Sequence, residues 1–185
     1  MAKVGIIGNG WVGKAMLQLF PNALVYIRNG VPNDQDTFTN DKDKINQCDV
    51  IFICVPTPNK IEFKNLGNDN LLEVADGKLD TSIVEECVSW INKDSLIVIR
   101  STVNPGTTDH LINKYNKKIV MQPEYLGETP NHPLLNTKDT PFLIMGGDVY
   151  NTRILINLYA TVYNANVKIR QVTPKEAEII KILVL

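Results

Sequence analysis

Val4-Gly5-Ile6-Ile7-Gly8-Asn9-Gly10-Trp11-Val12-Gly13 stands near the start of the chain, and Lys14-Ala15-Met16-Leu17-Gln18-Leu19-Phe20 follows it with helical spacing of its apolar residues. A short apolar run, a glycine-punctuated turn and an amphipathic segment read as strand, turn, helix. In a turn that receives a dinucleotide, Gly8 makes the tight bend and Gly10 lets the backbone approach a pyrophosphate. Gly13 lets the helix pack close to the strand. The anion then rests on the unpaired N–H groups of the helix start, so Gly8, Asn9, Gly10, Trp11, Val12 and Gly13 together form the expected cofactor loop. The plainer alternative is that the glycines only build a turn between two packed elements.

The rest of the composition narrows the class of protein. With 185 residues, 44% hydrophobic and 21% charged, the chain has the make-up of a globular domain with one core. No apolar run approaches the ~18 residues needed to cross a bilayer, and Met-Ala-Lys-Val leads into the first strand rather than into a signal peptide, so the expectation is cytoplasmic with no membrane partner. The net charge is -1 and no cluster of Lys and Arg carries interleaved aromatics, which argues against a nucleic-acid partner. Cys48, Cys54 and Cys87 match no zinc or disulfide spacing, and Cys54 and Cys87 read as buried thiols. His110 and His132 have no metal-ligand companions, so no metal is expected.

Taken in order, Ala23 to Ile27 reads as a second strand ending at Arg28. An Asp or Glu is usual here, about 20 residues past the glycine turn, to hold the adenosine ribose. Arg28 either pairs with a ribose 2′-phosphate, which admits NADP beside NAD, or is an exposed arginine without a ligand. Residues 31 to 44 read as loop. Val50 to Val55 has the continuous apolar character of a strand covered on both faces, and Pro56-Thr57-Pro58 ends it. Asn59 to Leu72 is either a flexible insertion or a small hairpin. Asp80-Thr81-Ser82 predicts a helix start with Glu85 as a capping partner, and Val84, Cys87, Val88 and Ile91 give that helix a core face.

Leu96 to Arg100 predicts another buried strand, which delivers Ser101-Thr102-Val103-Asn104-Pro105-Gly106-Thr107-Thr108. That hydroxyl-rich turn presents groups to a ligand, caps the helix expected over 109 to 115 through Thr107 or Thr108, or does both. Ile119 to Met121 is a further strand, and Glu124 after it is a general base, a water-positioning group or a solvated carboxylate. A proline-marked loop over 129 to 141 leads to a strand at 142 to 145, a helix over about 150 to 163 and a strand at 166 to 169. A last helix begins at Pro174 and ends apolar at Ile182 to Leu185. That end reads as a chain cut short, or as one whose core continues through a second copy or a partner chain over residues 179 to 185. The fold class is therefore α/β: a single domain built on a Rossmann-like, doubly wound, mainly parallel sheet, with ligand at the strand carboxyl ends.

Four motifs stand in fixed order: residues 8 to 13, Val-Pro-Thr-Pro at 55 to 58, Ser-Thr-Val-Asn-Pro-Gly-Thr-Thr at 101 to 108, and Pro-Glu-Tyr-Leu-Gly-Glu at 123 to 128. With Asp76 to Asp80, Gly146-Gly147-Asp148 and Ala177-Glu178 plus Lys181, this ordered set resembles the amino-terminal NAD-binding domain of the UDP-glucose/GDP-mannose dehydrogenase family. Members of that family oxidise the C6 hydroxyl of a nucleotide sugar to a carboxylate in two hydride transfers to NAD. The resemblance implies that Val55, Pro56, Thr57, Pro58, Ser101 and Thr102 line the nicotinamide, with Glu128 a further cofactor contact. It implies that Thr102 positions water, that Glu124 is the general acid/base, that Tyr125 and Leu126 meet the substrate, and that Lys181 stabilises an oxyanion.

Departures from the family pattern are the missing ribose Asp, the long 59 to 72 segment, and Leu185 where an Asn is usual. The family's nucleophilic cysteine belongs to a later domain, so residues 1–173 are expected to be the dinucleotide-binding unit and 174–185 the start of a truncated connecting helix, incomplete for catalysis. The other expectations are a stand-alone, non-catalytic dinucleotide-binding module, or a different NADP-dependent oxidoreductase supported by Arg28.

Overall fold

A computed structural model describes residues 2–30, 32, 36–65, 71–125, 137–163 and 166–184. The first half of the chain contains β1 (Val4–Ile7), α1 (Trp11–Leu19), β2 (Leu24–Tyr26), β3 (Phe38–Thr39), α2 (Lys42–Ile45), β4 (Val50–Ile53), β5 (Asn59–Asn65), β6 (Leu71–Leu79) and α3 (Ser82–Trp90). The second half contains β7 (Leu96–Ile99), α4 (Thr107–Tyr115), β8 (Ile119–Met121), β9 (Phe142–Gly146), α5 (Val149–Tyr159), β10 (Lys168–Val172) and α6 (Pro174–Val184).

Among the described residues, eight strands form one sheet in the order β10-β9-β8-β7-β4-β1-β2-β3. All neighbours in it run parallel except β8 and β9, which meet antiparallel at Met121 and Gly146. The mainly parallel, doubly wound sheet is thus the one expected from the sequence. Its central strands β1, β4, β7 and β8 are apolar and buried at every position, because helices cover both faces. Alternate side chains feed two cores. Ile6, Phe52 and Val98 pack with Met16 and Leu19 of α1 and Leu155 of α5. Ile7, Ile53 and Ile99 pack on the other face with Ile45, Val84, Cys87 and Leu111 of α2, α3 and α4. Each such side chain, fully removed from water, contributes about 1.5–3 kcal/mol.

From β1 the chain leaves over one face through α1 to β2; from β4 it leaves over the other through α3 to β7. Since β1 and β4 are neighbours, their carboxyl ends open a crevice between two diverging connections, which is where an open α/β sheet takes a ligand.

Several boundaries depart from the sequence reading. The segment read as loop over 31 to 44 holds the edge strand β3 and the single-turn α2; β3 is pinned by Val25 N–H donating to the Thr37 carbonyl and Ile27 N–H to that of Thr39. Of the two alternatives for Asn59 to Leu72, the structure takes the hairpin: β5 and β6 pair antiparallel, and β6 continues to Leu79. Glu85 does not close a capping box; Asp80 accepts from the Ser82 N–H, while Glu85 turns to Lys114 and Tyr115. Helix α4 begins at Thr107 rather than Asp109, α5 spans 149–159, and β10 is 168–172.

Candidate functional site

Gly8 has φ +100°, and a Cβ there would lie 2.3 Å from the Cys54 carbonyl oxygen. A Cβ on Gly13 would lie 2.1 Å from the Gly8 carbonyl oxygen. Both positions need glycine for the close approach of the turn to α1 and to β4. Gly10 differs: a Cβ there meets nothing within 4 Å among the described residues, so their packing does not require a glycine. The space in front of it is open, and Trp11 beside it is half exposed.

The amino end of α1 is distinctive electrostatically. Carboxylates serve the starts of the other helices: Asp41 at α2, Asp80 at α3, Glu178 at α4, Asp148 at α5 and Glu176 at α6. Helix α1 has Gly10 at its cap, no side-chain cap bond and no acidic residue in its first turn. Its first N–H groups therefore face outward with the positive end of the helix dipole behind them, an arrangement suited to a diphosphate.

The neighbouring loops are tied to this turn. Cys54 N–H donates to the Ile7 carbonyl, and Gly8 N–H donates to the Tyr26 carbonyl. Ser101 Oγ accepts from the Val55 N–H at 2.9 Å and donates to the Val55 carbonyl at 2.7 Å, so its hydroxyl holds the loop after β4 in place. Pro56 and Pro58 are exposed beyond it, with Val55, Thr57 and Thr102 half-buried on the same rim.

After β8 a second cluster forms. Glu124 and Arg100 are both buried and make an ion pair, with side-chain exposures of 9% and 4%. Glu124 Oε1 also accepts the Tyr125 N–H at 2.8 Å. Lys181 of α6 holds its Nζ 5.5 Å from the centre of the Tyr125 ring. Burial pushes the Tyr125 hydroxyl up to about 12, offset in part by the Arg100 charge, so it stays protonated at neutral pH. Arg100 Nε, Gln122 Nε2 and Tyr125 Oη are buried with no hydrogen-bond partner among the described residues. Desolvating an ion pair is costly, and removing one partner of such a pair generally costs about 3–5 kcal/mol.

Of the residues singled out from the sequence, Gly8 to Gly13, Val55 to Pro58, Ser101 and Thr102 lie on the carboxyl ends of β1, β4 and β7. Glu124, Tyr125 and Lys181 gather after β8. Leu126 and Glu128 lie outside the described residues. Arg28 stands at the end of β2, where its Nη2 pairs with Glu86 Oε2 at 2.6 Å. Neither Thr107 nor Thr108 caps α4: Glu178 accepts from the Gly106 N–H at 2.5 Å and the Thr108 N–H at 2.7 Å.

Sequence reasoning assigned no partner to Arg100, Glu86 or Glu178, which the structure ties to Glu124, Arg28 and the start of α4. The signal for Arg100 was a charge between an apolar strand and a hydroxyl-rich turn; for Glu178 it was an acid on the apolar side of a helix. Cys54 and Cys87 are buried as expected, and Cys48 is buried too. No group of His, Cys, Asp and Glu suited to a metal ion occurs among the described residues. A hollow of about 830 Å³ lies at the opposite edge, beside Lys3, Val4, Leu19, Phe20, Leu158 and Val162, far from these groups.

Fold and site together define a dinucleotide-binding domain of the Rossmann-like α/β class. The model of the UDP-glucose/GDP-mannose dehydrogenase family, NAD binding domain, matches residues 24–165, more than half of the chain, and the protein belongs to that family. It is 33% identical over 109 residues to a UDP-glucose 6-dehydrogenase of Rickettsia conorii, a match covering 56% of this chain and 23% of that protein. It is 30% identical over 116 residues to a UDP-N-acetyl-D-mannosamine dehydrogenase of Methanococcus vannielii, covering 63% and 23%. The structure of a UDP-glucose dehydrogenase from Pyrobaculum islandicum shares the fold with a TM-score of 0.74 at 20% identity, over 98% of this chain and 48% of that one. The matches thus span about a quarter of those curated relatives and half of that solved chain. The glycine turn precedes the matched range, and its reading as an anion site rests on the geometry given above. No helix among the described residues is long and apolar enough to cross a membrane.

Proposed function

We propose that this chain is the cofactor-binding part of a cytoplasmic nucleotide-sugar 6-dehydrogenase of the UDP-glucose or GDP-mannose type, which oxidises a sugar C6 hydroxyl with NAD. The observation that carries this reading is the uncapped start of α1 behind an unobstructed Gly10, facing the loops that follow β4 and β7. In it, the amides from Gly8 to Gly13 bind the diphosphate, while Val55 to Pro58, Ser101 and Thr102 flank the nicotinamide, with Glu128 as a further contact.

When bound, the nicotinamide supplies the hydride acceptor; the chain's residues handle position and protons. Glu124 takes the hydroxyl proton, its carboxylate fixed by Arg100 and by the Tyr125 N–H. Tyr125 and Leu126 hold the substrate, Thr102 positions water, and Lys181 offers positive charge to developing oxyanions. The second oxidation needs a thiol to form a thiohemiacetal. Burial pushes Cys54 up to about 12 and Cys87 up to about 11, and raises Cys48 as well, so none of the three supplies a thiolate at neutral pH. In this reading residues 1–173 bind cofactor and α6 begins the link to the portion that provides that thiol. The exposed Ile179, Ile182 and Leu183 on α6 mark the face for association.

The buried thiols equally suit a stand-alone, non-catalytic dinucleotide-binding module. A different NADP-dependent oxidoreductase rests on Arg28 alone, whose side chain pairs with Glu86 at 2.6 Å. Titration calorimetry with NAD⁺, then with UDP-glucose and GDP-mannose, alongside a turnover assay, tests the proposal. NAD⁺ binding followed by nucleotide-sugar binding, without release of a uronate, is expected. Absence of any NAD⁺ binding overturns it, and cofactor binding with no sugar-nucleotide binding selects the stand-alone module.

A further inference from the structure

Dinucleotide folds discriminate NAD from NADP at the end of the second strand, where an acid accepts from the ribose hydroxyls and repels a 2′-phosphate. Here that strand, β2, ends at Tyr26, followed by Ile27 and Arg28, with no acid. The position is nevertheless the right one: Ile7 and Tyr26 are register partners, and the Tyr26 carbonyl accepts the Gly8 N–H at 3.1 Å. A carboxylate does reach this place, from another element. Glu86 of α3 lies 58 residues along the chain and pairs with Arg28 at 2.6 Å.

Packing fixes this approach. Cys87, the next residue, and Val84 and Val88 form the buried face of α3. The Tyr26 and Trp90 rings lie 5.4 Å apart, and Lys42 of α2 sits 4.9 Å over Trp90. Helix α3 is thereby clamped against the end of β2. The pair itself is about half exposed, 59% for the Arg28 side chain and 47% for Glu86. An ion pair so exposed adds little to stability, so its residues are free to serve a ligand and the fold tolerates their replacement.

We propose that Glu86 is the specificity-determining acid of this site, supplied by α3 in place of the absent acid at the end of β2. Its carboxylate accepts from the adenosine ribose hydroxyls of NAD, occupies the Arg28 guanidinium, and opposes the negative charge of a 2′-phosphate. Arg28, freed, would hold that phosphate with its planar fork of donors. The gate rests on the dinucleotide reading given above, and binding alone tests it without any turnover.

Calorimetric titration of the wild type, Glu86→Gln, Arg28→Ala and the double variant with NAD⁺ and with NADP⁺, at one ionic strength, separates the two. The wild type is expected to prefer NAD⁺. Glu86→Gln shifts the ratio towards NADP⁺ by roughly tenfold, mostly through a gain in NADP⁺ affinity, and adding Arg28→Ala removes that gain. All variants should melt within about 4 °C of the wild type, which keeps the comparison one of binding. A wild-type preference for NADP⁺, or a ratio that Glu86→Gln leaves unchanged while NAD⁺ still binds, overturns the gate alone. If neither nucleotide binds the wild type, the dinucleotide reading falls and the gate with it.

Discussion

Three glycines of one turn behave as three different residues. Gly13→Ala would drive a methyl to 2.1 Å from the Gly8 carbonyl oxygen, and Gly8→Ala would add a strained positive φ to a 2.3 Å clash with Cys54. Backbone atoms cannot move aside as a flexible side chain can, so each change should remove about 1–3 kcal/mol or more. Gly10→Ala meets no atom within 4 Å and sits at an ordinary φ of -73°. It should lower stability by no more than about 1 kcal/mol, the difference between Gly and Ala at a helix cap. The added methyl instead fills the approach to the α1 amides, and NAD⁺ affinity should fall about tenfold or more. Thermal melts beside calorimetry check the contrast. A Gly10→Ala variant that binds as well as wild type removes the case for a diphosphate at this turn.

Helix ends carry the next level of organisation, and here charge placement separates structure from function. Glu178, on the buried side of α6, caps α4 across 70 residues of sequence and so locks the last helix to the turn that follows β7. Burial pushes its carboxyl above the ordinary value of 4.5, partly offset by the Thr108 and Gly106 hydrogen bonds. The folded protein thus keeps this proton to higher pH than the unfolded chain. Its contribution is present in full below about 4.5 and is lost as the pH rises through the raised value. Urea unfolding followed over that range should show wild-type stability falling relative to Glu178→Gln, whose amide has no proton to lose. A rise instead would show that the amide bonds outweigh burial. The strands were legible because β1, β4, β7 and β8 are covered on both faces and leave unbroken apolar runs. The two-residue β3 and four-residue α2 were not, since each is about one period long and a single period cannot show a repeat. Arg100–Glu124, Arg28–Glu86 and Glu178 with α4 were equally hidden, because each joins groups brought together only by the sheet order. The glycine turn needed no such long-range information, since its strand, bend and helix are consecutive.

For the whole molecule, the sheet order places the glycine turn after β1 between the two charged pairs. Arg28–Glu86 stands outward beyond β2, and Arg100–Glu124 stands past β7. A ligand lying along this edge spans connections that leave over opposite faces, so its binding couples α1, α3 and the loops after β4 and β7 into one unit. Binding to the folded state alone stabilises it by mass action, by about 2.7 kcal/mol at a ligand concentration 100 times the dissociation constant. For a domain of this size that corresponds to a rise in melting temperature of roughly 5–10 °C. Scanning calorimetry across a series of NAD⁺ concentrations should show one transition moving upward with the logarithm of concentration. The same series on Gly10→Ala should start at nearly the same temperature and need about ten times more nucleotide for an equal rise. Two transitions, only one of them moved by NAD⁺, would mean that the sites on the two sides of β1 do not act as one body, and would confine the ligand to the β1–β2 side of the sheet.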